Sequence, residues 1–244
     1  MDHKEFSDQF DTQINSYASE LPYGKTADAL IFNEYEKSVF LTEAENELVI
    51  SLYNGNNTLF RESYDETEQL RKYLTNLVRT FKIDDLAECE ETEEETPPYA
   101  FGHDANVTYY KITLPEDALF ITWEGVIIAD NNVQKFRDVV PVKYDEWLRI
   151  SRNPFRQPNK KWRALRLDTG THTMEIVSAA TAQSYHARYI KRPRPIVLVD
   201  LSNEGLSIEG VSTVSECELE EVLHPYILNL AIQKALASRA LINK

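Results

Sequence analysis

The stretch Leu119-Phe120-Ile121-Thr122-Trp123-Glu124-Gly125-Val126-Ile127-Ile128 is β-branched and aromatic almost throughout, with one charge in ten residues. Just upstream, Val107-Thr108-Tyr109-Tyr110-Lys111-Ile112 has the same character. Residues of these types fit a pleated, half-buried surface, so both runs read as strands. Downstream, strand patterns resume at 162–167, 173–178 and 185–190, and a further one at 196–200 follows two prolines. A short helix carrying Tyr144, Trp147, Leu148 and Ile150 is expected to start near Pro141, because proline is tolerated in a first helical turn.

Upstream of the strands the period changes. Phe6, Phe10, Ile14 and Tyr17 recur at three- and four-residue steps, which places them on one helix face. A second, longer amphipathic pattern runs from about residue 28 to Tyr53, with Ser38 as a possible break and Asn54-Gly55-Asn56-Asn57 as its stop. A third helix is expected over 65–80, led by Asp65 and Glu66 where the helix dipole favours acids. The chain closes on an apolar helical stripe over 218–241, which Pro225 either kinks or begins. The fold class that follows is α+β: a helical N-terminal third, a β-rich middle with a mostly antiparallel sheet, and a C-terminal helix. The division expected is a helical region 1–87, an acidic linker or loop 88–98, and a β-rich region 99–244 with its closing helix.

Composition narrows the function classes. Apolar residues make up 42% of 244, enough to bury a sizeable core. No run of 18 apolar residues is present, and Met1 to Asp11 is too polar for a secretory signal, so a chain made and kept in a reducing compartment, away from membranes, is expected. Cys89 and Cys217 have no metal-ligand spacing and read as free thiols. The net charge of −14 is uneven: residues 135–195 hold 14 Lys/Arg against 5 Asp/Glu, while the rest of the chain holds 12 against 35. Unlike charges on two parts of one chain suit head-to-tail contact between copies.

Catalytic motifs are scarce. Asp168-Thr169-Gly170 is the triplet aspartic proteases carry, and one copy per chain would serve only in a dimer, where two carboxylates share a proton. It also lies between two strand patterns, where Asp-Thr-Gly is ordinary turn chemistry. The histidines His3, His103, His172, His186 and His224 show no i, i+4 metal spacing, and His224, next to Pro225 at a helix start, reads as a cap or packing contact. Seven glycines and no GxSxG, GxGxxG or P-loop leave no phosphate cradle. Cys89 sits among carboxylates that would raise a thiol's pKa, against the needs of a nucleophile. No catalytic, cofactor or metal residues are therefore assigned. Arg188, Lys191, Arg192 and Arg194 form a basic cluster beside Tyr189, and Glu91, Glu93, Glu94 and Glu95 an acidic one; these are the expected interface residues. A DNA-binding or packaging accessory protein is the competing class for the basic cluster, although nucleic-acid binders are usually basic overall.

Three segments carry a resemblance: Glu34-Tyr35-Glu36-Lys37-Ser38-Val39-Phe40-Leu41-Thr42-Glu43-Ala44; Tyr189-Ile190-Lys191-Arg192-Pro193-Arg194-Pro195-Ile196-Val197-Leu198; and Cys217-Glu218-Leu219 with Leu223-His224-Pro225-Tyr226-Ile227-Leu228. In order and spacing they resemble the neck ring proteins of crAss-like tailed phages of Bacteroides, which join the portal to the tail. The resemblance implies a virion structural protein without a cofactor. It implies a homo-oligomeric ring, a dodecamer matching the portal's usual twelvefold symmetry, that contacts the portal and other neck or tail rings. It also implies a channel through which DNA passes without sequence-specific binding.

Overall fold

The computed structural model describes residues 1–19, 31–55, 62–86, 107–130, 133–159 and 162–242. They divide into two compact units, Met1–Leu77 with Arg192–Lys244, and Val78–Lys191. The acidic segment 88–98 lies outside the described residues. The observed boundaries fall at 77/78 and 191/192, which groups the C-terminal helix with the first helices.

The first unit is helical. Helix α1 (His3–Ser19) buries Phe6, Phe10 and Ile14, whereas Tyr17 at its end is exposed. Helix α2 (Glu34–Asn54) opens with a reciprocal cap: the Asn33 side chain accepts from the Glu36 N–H (2.7 Å) and the Glu36 carboxylate from the Asn33 N–H (3.0 Å). It closes on Gly55 at φ +74, a left-handed turn in which an added Cβ would press on the backbone of Glu62 and Ser63. Ser38 does not break it. The Ser38 hydroxyl donates to the Glu34 carbonyl (2.7 Å) and accepts from the Leu198 N–H (3.0 Å). One turn on, the Thr42 hydroxyl accepts from the Ile196 N–H (3.1 Å) and donates to the Ile196 carbonyl (3.3 Å). The run 196–200, expected as a strand, is therefore not part of the sheet: hydroxyls of α2 take up its backbone groups, and its one ladder contact is a bridge between Val197 and Ser215.

Helix α5 (His224–Ile242) packs on α2 and α1, burying Ile227, Leu228, Ala231, Ile232 and Ala235. A single 3-10 turn, Glu221–Leu223, precedes it, so Pro225 marks the start of the helix and does not kink it. The expected third helix is short: α3 (Glu68–Tyr73) is followed by a 3-10 turn and then by strand β1 (Val78–Ile83). Only Thr80-Phe81-Lys82-Ile83 alternates with a period of two, and the pairing of 78–83 with a sheet strand overrides the helical spacing upstream.

The second unit is one seven-stranded sheet in the order β1-β7-β3-β4-β5-β6-β2. The remaining strands are β2 (Thr108–Thr113), β3 (Ala118–Asp130), β4 (Val133–Val142), β5 (Arg163–Asp168), β6 (Thr173–Ser178) and β7 (Ala182–Lys191). All pairs are antiparallel except β4 with β5. A parallel pair needs a long crossover, and here it contains helix α4 (Trp147–Ser151). Pro141 does not start that helix. It lies inside β4, opposite Arg166 of β5, where β4 has already parted from β3 and a missing N–H is tolerated. The sheet is rolled, because every strand sends side chains into one interior: Phe81, Tyr110, Ile112, Val126, Ile128, Val139, Ala164, Met174, Ile176, Tyr185 and Ala187. The Tyr110 hydroxyl of edge strand β2 accepts from the Ala182 N–H at the start of β7 (2.8 Å).

Candidate interaction surface

Alternation along the strands sorts the second unit's residues into an inner and an outer face. On the outer face α4 covers one end, with Trp147 and Ile150 packed on Leu165, Leu167 and Val177. The other end, made by β1, β7, β3 and β4, is not covered by α4, the one α-helix among the described residues of this unit. There the register lines up Thr80, Arg188 and Trp123, then Lys82, His186, Gly125 and Asp138, then Ser184, Ile127 and Phe136.

Two aromatic side chains dominate this open end. The Trp123 and Phe136 rings stack 5.2 Å apart at 10°, and the His186 ring meets Phe136 edge-on at 6.1 Å. Gly125 makes the stack possible: the Phe136 ring lies over its Cα, and a Cβ there would collide with the ring. Trp123 nevertheless remains 45% exposed and Phe136 41%, values that decide the reading of this face as an uncovered aromatic patch. A groove of about 550 Å³ runs beside it, lined by Lys82, Asp84, Ile127, Gln134 and Ser184 among others.

Arg188, expected from the sequence as an interface cation, is exposed on this face and makes no ion pair among the described residues. Lys191 is half-buried at the end of β7. Arg192 and Arg194 are exposed in the first unit, where the Arg194 N–H donates to the Glu218 carboxylate (2.9 Å). The basic cluster is thus divided between the two units. Glu91, Glu93, Glu94 and Glu95 lie outside the described residues.

Beneath the outer face, Glu124 points inward from β3. Its carboxylate accepts from the Arg166 guanidinium (2.6 Å) and the Tyr185 hydroxyl (3.0 Å), and Arg166 also reaches Asp168 (2.9 Å). Burial pushes the Glu124 carboxyl up to about 7, against the pull of the neighbouring guanidinium. Burial, and next the Glu124 charge, raises the Tyr185 phenol as well. This group is internal to the roll and fastens β3, β5 and β7 to one another. Asp168 is exposed at the end of β5, and the loop after it closes the β5–β6 hairpin through Thr169 and Gly170 N–H groups that both donate to the Thr173 carbonyl (3.0 Å each). The Asp-Thr-Gly triplet therefore stands in a hairpin connection.

The remaining candidates are structural contacts. The Cys217 thiol donates to the buried Glu45 carboxylate (3.1 Å), and burial followed by that charge raises its pKa, the reverse of an activated nucleophile. His224 is buried at the start of α5, with Nε2 3.2 Å from the Leu219 carbonyl and its ring 5.2 Å from Phe6; burial lowers its pKa and favours the neutral ring. No group of three or more His, Cys, Asp or Glu fit to hold a metal is found among the described residues, and no described helix is long and apolar enough to cross a membrane.

An exposed, preorganised aromatic patch on a rolled sheet is the kind of surface on which proteins meet one another. The sequence model of the phage tail ring protein 3/4 family matches residues 1–244, and the chain belongs to that family. It is 40% identical over 243 residues to Ring protein 3 of Bacteroides phage crAss001, covering 98% of this chain and 96% of that one. It is 31% identical over 244 residues to Ring protein 4/5 of the same phage, covering 98% and 93%. The chain is thus a structural ring protein of a phage virion, which agrees with the resemblance read from its three segments. The Trp123–Phe136 patch was not singled out from sequence. Its signal was present in Gly125, a glycine inside a strand pattern, which marks close approach by another group.

Proposed function

We propose that this chain forms a closed ring in the phage neck, between portal and tail, and contributes to the channel through which DNA leaves the head. What carries the reading is the match to two ring proteins of one phage over almost the whole of every chain. Copies meet head to tail, about twelve of them if the ring follows portal symmetry, because a heterologous contact closes when its rotation divides a full turn. Arg188, Lys191, Arg192 and Arg194 are the basic side of that contact, and Glu91, Glu93, Glu94 and Glu95 the acidic side. The acidic balance of the first unit, 22 Asp/Glu against 11 Lys/Arg, suits a wall past which DNA slides without being held. Neighbouring rings and the portal are its partners, and synthesis takes place in the host cytoplasm. Electron microscopy of the chain mixed with its portal tests this: a ring stacked on the portal supports it. A chain that stays monomeric alone and with the portal, and is missing from purified virions, would refute it.

A further inference from the structure

Resting on the ring reading, we infer that the connection between α4 and β5 docks on the acidic stretch 195–233 of a neighbouring copy. Between Glu146 and Asp168 the chain has seven Lys/Arg and no Asp/Glu, and between Arg194 and Lys234 it has seven Asp/Glu and no Lys/Arg. Each stretch also bares apolar side chains. Phe155 is 87% exposed and Trp162 72%, and the acidic stretch exposes Val199, Leu206, Val214 and Val222. Unlike charge with apolar surface on both sides is the complementarity that brings two protein surfaces together. Arg149 is held by Glu146 (2.8 Å) and Arg166 by Glu124 (2.6 Å). Arg152 and Arg156 are exposed on the one stretch and Glu204 and Glu221 on the other, and none of these four makes an ion pair among the described residues. The connection is also set before contact: the Asn153 side chain accepts from the Phe155 N–H (2.9 Å), the Asn153 carbonyl from the Arg156 and Gln157 N–H groups (2.9 Å each), and the Arg163 guanidinium donates to the Phe155 carbonyl. Trp147 and Ile150 anchor its base in the core, so little freedom is lost on binding. The occupant is a second copy because the chain belongs to a ring protein family, and copies in a ring bring unlike surfaces of one chain together. Duplex DNA fits less well: phosphates would engage the arginines but give two bared aromatic rings nothing to pack on, and the chain carries −14 overall. This contact is separate from the one assigned to Arg188, Lys191, Arg192 and Arg194, which lie in neither stretch.

The test uses the full chain. Phe155→Ala with Trp162→Ala removes the aromatic anchors, and Arg152→Glu with Arg156→Glu reverses the free charges; all four side chains are exposed, and circular dichroism checks that both variants are folded. Native mass spectrometry should show the concentration for half-assembly raised about tenfold or more in each variant. Separately, a photoreactive p-benzoylphenylalanine placed at position 155, in a mixture of isotope-labelled and unlabelled copies, should cross-link to peptides from 195–233 of another copy. Cross-links confined to one chain, to 78–191 or to other proteins would overturn the inference while leaving the ring reading intact. So would unchanged assembly in both variants, or assembly unchanged while binding of a duplex DNA fragment is lost. A wild-type chain that never assembles, alone or with the portal, would overturn both.

Discussion

Replacing Glu124 by glutamine tests the physical account of the rolled sheet, because that carboxyl titrates in the middle of the accessible pH range. Burial raises it to about 7 from the 4.5 of an ordinary glutamate carboxyl. Between these values the folded chain holds a proton that the unfolded chain has released, so stability falls as pH rises through the window. Below the unfolded value the contribution is fully present, and above about 7 it is gone. A shift of this size corresponds to about 3 kcal/mol. All three tryptophans, Trp123, Trp147 and Trp162, lie in the second unit, so tryptophan fluorescence during urea unfolding reports on that unit alone. Wild type and Glu124→Gln are compared at about pH 5 and about pH 8, in dilute protein. Other carboxyls titrate equally in both, so the difference between the two pH dependences isolates Glu124. On raising the pH, wild type should lose about 2.5 kcal/mol more than the variant, a midpoint difference of roughly 1–2 M urea. Parallel pH dependences in the two proteins would refute the reasoning, and would mean that Arg166 and Tyr185 offset the burial of the charge.

Thr42→Val leaves the buried N–H and carbonyl of Ile196 without the hydroxyl that serves both, and should cost about 1–3 kcal/mol by calorimetry; Ser38→Ala removes the analogous tie to Leu198 and should cost a similar amount. Lys37 is buried with its ammonium bonded to Asp11 (2.7 Å), Glu34 (2.9 Å) and Ser7 (3.0 Å); burial works against its charge, but those carboxylates outweigh it and hold its pKa above the usual value. Lys37→Ala should therefore lower the stability of the first unit by roughly 2–4 kcal/mol, and Lys37→Met by clearly less, since it keeps the volume and the two partly exposed carboxylates turn to water. Gly55→Ala forces a side chain into the left-handed turn that ends α2 and should cost about 1 kcal/mol or more in the melting transition.

The α+β class was legible because the two periodicities are distinct: Phe6, Phe10 and Ile14 step as a helix, and 119–128 as a strand. The closing helix was equally plain from its stripe. Three features were hidden for definite reasons. Lys37, Ser38, Thr42 and Glu45 are buried on α2, and an apolar stripe cannot show polar residues whose partners lie some 150 residues away or on another helix. Strand β4 was not recognised, because Lys135, Arg137 and Asp138 interrupt its alternation and Pro141 reads as a helix start. The switch from helix to strand at Val78 depends on pairing with β7, a contact that no local signal encodes. Of the expected interface cations, Arg188 reached an exposed face beside the aromatic patch, yet the patch itself depends on β3 and β4 lying side by side, which places Phe136 over Gly125.

Ring closure by copies of this chain is open to direct measurement. Native mass spectrometry of the purified protein over a range of concentrations, alone and with the portal, measures it directly. A closed ring gives a single species at a fixed multiple of the 28.2 kDa subunit, formed alone or on the portal. A monomer at every concentration and with the portal, or an open series of ever larger multiples, would contradict it.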